Sequence, residues 1–330
     1  MQLSPVNLAG RRDGAAARRA VGTFRRLDAL AAVVLALAVA QVPTRPPVLA
    51  PSAAAAASSI EAGFSPVGRY AVTTQVLTDV SGSTPYKIFR PADYSALGFA
   101  SPIVTWGNGT NGTVDLYSVL LSHLASYGFT VIAPDQANTG SGRAMTAGVQ
   151  YLIAQAGTAG SVFQGRLDVN SVAALGHSQG AGGAVRAATN NPTLFDTVVT
   201  FSLPNKMWIG TNSDCPTKSD CTFDPAQLRQ PTFLAGTHGT LDSIITSIST
   251  EQAFYQQVPG HAVLGLIQNS AGKKADHNTI QDRNGPNGFL GYVTAWLCAQ
   301  LRGDATAATA FGGAHPELVS NTNWPDSAAK

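Results

Sequence analysis

The stretch Val172-Ala173-Ala174-Leu175-Gly176-His177-Ser178-Gln179-Gly180-Ala181-Gly182-Gly183 decides how this chain is read. Four apolar residues form a short buried-strand pattern, and the small residues after Ser178 open a helix. Gly-x-Ser-x-Gly stands at the join, where it has mechanical meaning: the glycines allow a sharp turn that lifts the serine to the edge of a sheet. A serine at a helix N-terminus also meets unpaired backbone N–H groups and the positive end of the helix dipole, which suits a developing oxyanion. Ser178 is therefore the candidate nucleophile, and Gln179 N–H the first oxyanion donor.

A serine hydroxyl is a weak nucleophile and needs a histidine base oriented by an acid. In sheets built around this turn, acid and base follow the nucleophile in the order Ser, acid, His, on loops after later strands. Of six histidines, His123 precedes the nucleophile, His177 sits inside the turn and His238 precedes the best acid. His261 opens a strand and His315 lies in the tail, which leaves His277. Asp242 follows the strand Pro231 to Ala235. Asp214 and Asp224 come too early, and Asp276 adjoins the histidine and is expected to point elsewhere. The second oxyanion donor belongs to the glycine-rich loop Trp106 to Gly112, with Asn108 N–H the first choice and Gly109 the runner-up.

Outward from the turn, short apolar runs alternate with helical patterns. Strands are expected at Tyr70 to Leu77, Tyr86 to Phe89, Pro102 to Trp106, Phe129 to Ala133, Thr197 to Phe201, Pro231 to Ala235 and Ala262 to Ile267. Helices are expected at Val114 to Tyr127, Met145 to Ala156, Ser178 to Thr189, Glu251 to Gln257 and Gly288 to Leu301. Such alternation implies an α/β fold with a mostly parallel central sheet covered by helices on both faces. No internal repeat and no second domain are visible, and one catalytic domain over 61–330 is expected.

Apolar residues make up 44% of the 330 and charged residues 12%, which excludes a disordered chain. Ahead of Ser58, seven arginines against Asp13 and Asp28 make that stretch +5, and the chain total of +2 leaves −3 on the body. A mildly acidic body gives no basic patch for nucleic acid. The basic front, the apolar run Ala29 to Ala40 and the small-x-small Ala38-Val39-Ala40 read as a signal peptide, followed by an Ala/Pro/Ser-rich spacer to about residue 57. Cleavage is expected after Ala40 or near Ala57. The arginine pairs at 18–19 and 25–26 leave the export route open. The apolar run is short for a membrane span, so no stable anchor is expected. Export suits a disulfide between Cys215 and Cys221, with Cys298 buried and free. With no His-x-x-x-His or Cys-x-x-Cys spacing, neither metal nor cofactor is implied.

These residues resemble the cutinase and polyester-hydrolase branch of the α/β-hydrolases, related to the dienelactone-hydrolase type. The resemblance runs through Ala133-Pro134-Asp135 with Asn138-Thr139 and Arg143, and through Gln164 to Asp168 leading into the Gly176–Gly180 turn. It continues in Asp242-Ser243-Ile244 and in His277 with Tyr292 to Leu297, Gly303-Asp304 and Phe311. It implies a secreted serine carboxylic-ester hydrolase acting on small esters, lipids or polyesters. An acyltransferase with the same triad, or a non-catalytic binding protein on the same fold, is the alternative. There are three departures. Asn108 stands where an aromatic residue is usual, and Asp242 comes about two residues late after its strand. Ser202-Leu203-Pro204 lacks the expected tryptophan, for which Trp208 is the candidate substitute. The departures at Asn108 and Leu203-Pro204 predict a pocket that favours aliphatic acyl groups over terephthalate.

Overall fold

Period-two alternation divides the apolar residues of each central strand between two faces, and both faces are buried. Val104, Val131, Leu175, Val199, Phe233 and Val263 point into one core, and Ile103, Ile132, Ala174, Val198, Leu234 and Leu264 into the other. A sheet apolar on both sides requires helices on both sides. The computed structural model, which describes residues 59–78 and 85–330, has that arrangement in one compact unit. The leader and spacer expected over residues 1–57 lie outside the described residues.

The strands are β1 (Val72–Leu77), β2 (Tyr86–Pro91), β3 (Ser101–Gly107), β4 (Thr130–Pro134), β5 (Leu167–His177), β6 (Thr197–Phe201), β7 (Thr232–Thr237) and β8 (Ala262–Ile267). Their order is β1-β2-β4-β3-β5-β6-β7-β8, with a two-residue strand, Ala328–Ala329, closing the far edge. From β4 through β8 every pairing is parallel; β1, β2 and the closing strand pair antiparallel.

The helices are α1 (Ile60–Phe64), α2 (Ser118–Ser126), α3 (Arg143–Gly157), α4 (Gln179–Asn190), α5 (Lys218–Cys221), α6 (Thr240–Ile245), α7 (Ile248–Gln257), α8 (Asn287–Arg302), α9 (Ala305–Ala308) and α10 (Glu317–Ser320). α2 and α8 cover the first face; α3, α4 and α7 cover the second. α8 carries Phe289, Tyr292 and Trp296, all fully buried, so it is a core helix and not a surface one. The segment expected as one helix from Val114 to Tyr127 divides into a 3-10 turn, Val114–Tyr117, and then α2.

Candidate active site

The carboxyl ends of β5, β6 and β7 converge on one point, the usual location of ligands in open α/β sheets. β5 delivers Ser178 at the turn into α4, with φ 53° and ψ −121°, a conformation a non-glycine residue rarely adopts. The turn closes because its flanks lack side chains. A Cβ on Gly176 would overlap the Gly180 carbonyl, and one on Gly180 would overlap the Gly107 carbonyl. The Ser178 N–H is held by the Phe201 carbonyl at 2.9 Å.

His277 reaches this serine from the turn after β8, its Nε2 lying 3.0 Å from Ser178 Oγ. Its Nδ1 is 2.6 Å from Asp242 Oδ1. The other oxygen of Asp242 accepts from Ser202 Oγ at 2.8 Å, Thr237 N at 3.1 Å and Thr237 Oγ1 at 2.5 Å. Asp242 is 1% exposed and His277 6%, so the pair is shielded from water. Sequence placed Asp242 in a loop; it stands in the first turn of α6, where the helix dipole favours an anion.

Asp276 is turned away from the imidazole. Its Oδ1 accepts the N–H groups of Leu241, Asp242 and His277 at 2.8, 3.1 and 2.8 Å, which ties the acid helix to the histidine turn. The other histidines lie elsewhere. His123 bonds the Phe64 carbonyl, His238 the Pro325 carbonyl, and His261 stacks on Trp296, while His315 is exposed.

Gln179 opens α4, so its N–H has no partner within that helix. Its side chain swings out to Thr139 N and Asn138 Oδ1. Asn108 is fully buried with its carboxamide facing the protein: Oδ1 accepts from Trp106 Nε1 at 3.1 Å, and Nδ2 donates to the Pro134 and Gln136 carbonyls at 3.0 Å each. Its side chain therefore fixes the loop, and Gly109 and Thr110 form the cavity wall there. The Gly109 N–H is engaged by Tyr117 Oη at 3.1 Å.

Ser178 and His277 line a cavity of about 560 Å³. Pro204, Trp208, Ile209, Phe223, Ile244 and Ile245 give it a largely apolar wall. Trp208 is half exposed, and its Nε1–H donates to the Ile244 carbonyl at 3.2 Å, which fixes the ring at the mouth. Cys215 and Cys221 form a disulfide, Cys221 also lines the cavity, and Cys298 is a buried free thiol. Burial pushes the Cys298 thiol up to about 11, which keeps it inert. Among the described residues the one grouping with metal-like spacing is Asp214, Cys215 and Cys221, and both its sulfurs are in the disulfide.

Sequence reasoning missed Tyr117, Ser202, Thr237, Phe223 and the bridging role of Asp276. Ser202 and Thr237 had a usable signal, since they stand at the ends of neighbouring parallel strands. Tyr117 and Phe223 reach the site only through tertiary packing.

A parallel sheet with a serine on a strand-to-helix turn, followed in the chain by an aspartate and a histidine that meet it, defines the α/β-hydrolase fold. Within that fold the chain belongs to the PET hydrolase-like family, whose model matches residues 47–322. It is 29% identical over 196 residues to cutinase 2 of Thermobifida cellulosilytica, covering 57% of this chain and 64% of that one. To cutinase cut1 of Thermobifida fusca it is 28% identical over 196 residues, 57% of this chain and 53% of the relative. A bis(hydroxyethyl) terephthalate hydrolase of Streptomyces coelicolor matches at 29% over 251 residues, 72% of each chain. The chain thus spans between about half and two thirds of the length of the two cutinases.

Proposed function

We propose that this chain is an exported serine carboxylic-ester hydrolase that works through an acyl-enzyme on Ser178. The observation that carries the reading is the continuous contact from Ser178 Oγ through the His277 ring to Asp242, opening into an apolar cavity. Ser178 Oγ attacks the ester carbonyl carbon while His277 Nε2 takes its proton. Asp242 accepts from His277 Nδ1–H, which leaves Nε2 as the basic nitrogen, and it stabilises the imidazolium that forms. His277 then returns the proton to the departing alkoxide oxygen. Water, deprotonated by the same nitrogen, resolves the acyl-enzyme and releases the acid. The Gln179 N–H and a donor from the β3 loop hold the oxyanion. Asn108 N–H is preferred as that donor because the Gly109 N–H is engaged by Tyr117.

The acyl group lies along the apolar wall. Trp208 and Phe223 supply aromatic faces that Ser202-Leu203-Pro204 does not, so the preference for aliphatic acyl groups over terephthalate expected from the sequence is revised, and aromatic acyl groups are proposed as substrates alongside aliphatic ones. The names of the relatives, cutinases and a bis(hydroxyethyl) terephthalate hydrolase, point to the same substrate class. Export rests on the sequence pattern ahead of residue 58. The test is turnover of p-nitrophenyl esters of rising chain length and of bis(hydroxyethyl) terephthalate, with fluorophosphonate labelling read by peptide mass spectrometry. Turnover with label on Ser178 supports the proposal; a protein that neither labels nor turns over is a binding protein on this fold.

A further inference from the structure

Three loops carry the proposed chemistry: the β3 loop, the Ser178 turn and the His277 turn. One chain of hydrogen bonds joins them. The Gly109 N–H donates to Tyr117 Oη at 3.1 Å, Tyr117 Oη lies 3.0 Å from His177 Nδ1, and His177 Nε2 lies 2.9 Å from the His277 carbonyl. Its polarity is determined from one end. A carbonyl only accepts, so His177 Nε2 carries the ring proton and Nδ1 is the acceptor. Tyr117 must then donate its O–H to Nδ1, which leaves its lone pairs for the Gly109 N–H. No member can be reversed without breaking a bond.

We propose that Tyr117 and His177 are positioning residues that lock the β3 loop and the histidine turn to each other through the nucleophile turn. The proposal rests on the serine-hydrolase reading and names what holds its parts in register. Both rings are built in. Tyr117 is fully buried with its ring 4.8 Å from that of Trp106, and His177 is 2% exposed with its ring 4.8 Å from that of His277. Close approach is required on the loop side too. A Cβ on Gly109 would lie 2.8 Å from His177 Nδ1 and 3.1 Å from Tyr117 Oη, so any other residue there pushes the loop off the chain.

Burial also protects the protonation states that the chain needs. It raises the Tyr117 phenol, keeping the donor proton in place. Burial first, and the neighbouring His277 second, hold His177 well below the ordinary histidine value, so it stays neutral beside a base that becomes positively charged in the reaction.

Tyr117→Phe keeps the ring and removes only the hydroxyl, and His177→Phe removes both ring nitrogens. Misplacement of reacting groups by about an ångström costs on the order of 100-fold. Tyr117→Phe is therefore expected to lower kcat on p-nitrophenyl butyrate by roughly 10- to 100-fold, with KM within about twofold. Rates are taken per fluorophosphonate-titrated site, so lost folded protein does not enter. Because one break opens the whole chain, the double variant should be no slower than the slower single one. Multiplying effects, a change in KM alone, or kcat within about twofold of the parent each overturn the coupling. They do so while the parent still labels at Ser178; a parent that does not label overturns the serine reading itself.

Discussion

Ser178 occupies a backbone conformation that costs roughly 1–3 kcal/mol in general. The residue is placed for reach and not for packing, because its hydroxyl has His277 as partner and faces the cavity. Ser178→Ala should accordingly leave the fold and melting temperature nearly unchanged and lower ester turnover on the order of 10³-fold or more. Steady-state kinetics beside a thermal melt checks both halves, and near-native turnover in the variant would remove the central claim. Trp208 is the other single residue with a separable effect. Ring stacking adds about 0.5–1.5 kcal/mol beyond burial, up to roughly tenfold in affinity. Trp208→Ala should thus lower kcat/KM on bis(hydroxyethyl) terephthalate several-fold more than on p-nitrophenyl butyrate. Equal losses on the two esters would show that the ring acts as an apolar wall with no stacking preference.

Elements rather than residues decide how the acid is enclosed. α7 places Glu251 against α6, 1% exposed. Burial, and then the charge of Asp242, raises its pKa well above the ordinary 4.5. The sign follows: the native state holds this proton more tightly than the unfolded state. Its stabilising contribution is complete below about 4.5 and is lost as pH rises toward the folded value, at about 1.4 kcal/mol per pH unit. Glu251→Gln, which cannot ionise, should therefore gain melting temperature relative to the parent as pH rises above about 5, until the folded value is passed; parallel curves would show that the fold does not hold this proton more tightly than the unfolded chain. The same scale shows what was legible beforehand. β6 and β8 match their expected limits because both are fully buried, β8 as an unbroken apolar run and β6 as a run of β-branched residues ending in Phe201. β5 runs eleven residues instead of four, since Leu167 and Asp168 pair with Ser101 and Pro102 at the start of β3 and the register then shifts past Val169 to Ser171, a bulge that no apolar pattern announces. That Ser178, Asp242 and His277 come together was legible because chain order and strand spacing constrain them. The side chain of Asn108 was not, because its inward turn depends on the Pro134 and Gln136 carbonyls, brought close only by the fold.

At the scale of the whole molecule, the C-terminal tail is part of the machinery that holds the serine. Glu317 accepts the N–H groups of Ile60 and Glu61 at 2.7 and 3.1 Å, closing the start of α1 onto the tail. Glu61 in turn accepts from Asn321 Nδ2 at 2.7 Å and Trp324 Nε1 at 2.8 Å. Trp324 is fully buried and packs edge-on against Phe289 and Tyr292 of α8, and Phe289 packs edge-on against Phe201 at 5.4 Å. Phe201 is the residue whose carbonyl holds the Ser178 N–H. A continuous apolar path therefore runs from the tail, through α8, to the backbone of Ser178. Emptying the site of a buried tryptophan typically costs about 3–5 kcal/mol. At roughly 2–4 °C per kcal/mol for a domain of this size, Trp324→Ala should lower the melting temperature by on the order of 6–20 °C. The expected effect on catalysis is smaller and of a distinct kind. Below the transition, kcat per titrated site should fall modestly with KM unchanged, because Phe223 of the cavity wall packs in the core on the opposite face of the sheet from this path. Trp324→Phe, which keeps an aromatic ring at the site and loses the bond to Glu61 and the volume of one ring, should recover part of the lost stability. A Trp324→Ala protein that melts within about 2 °C of the parent would show that the tail only covers α8 and does not brace it.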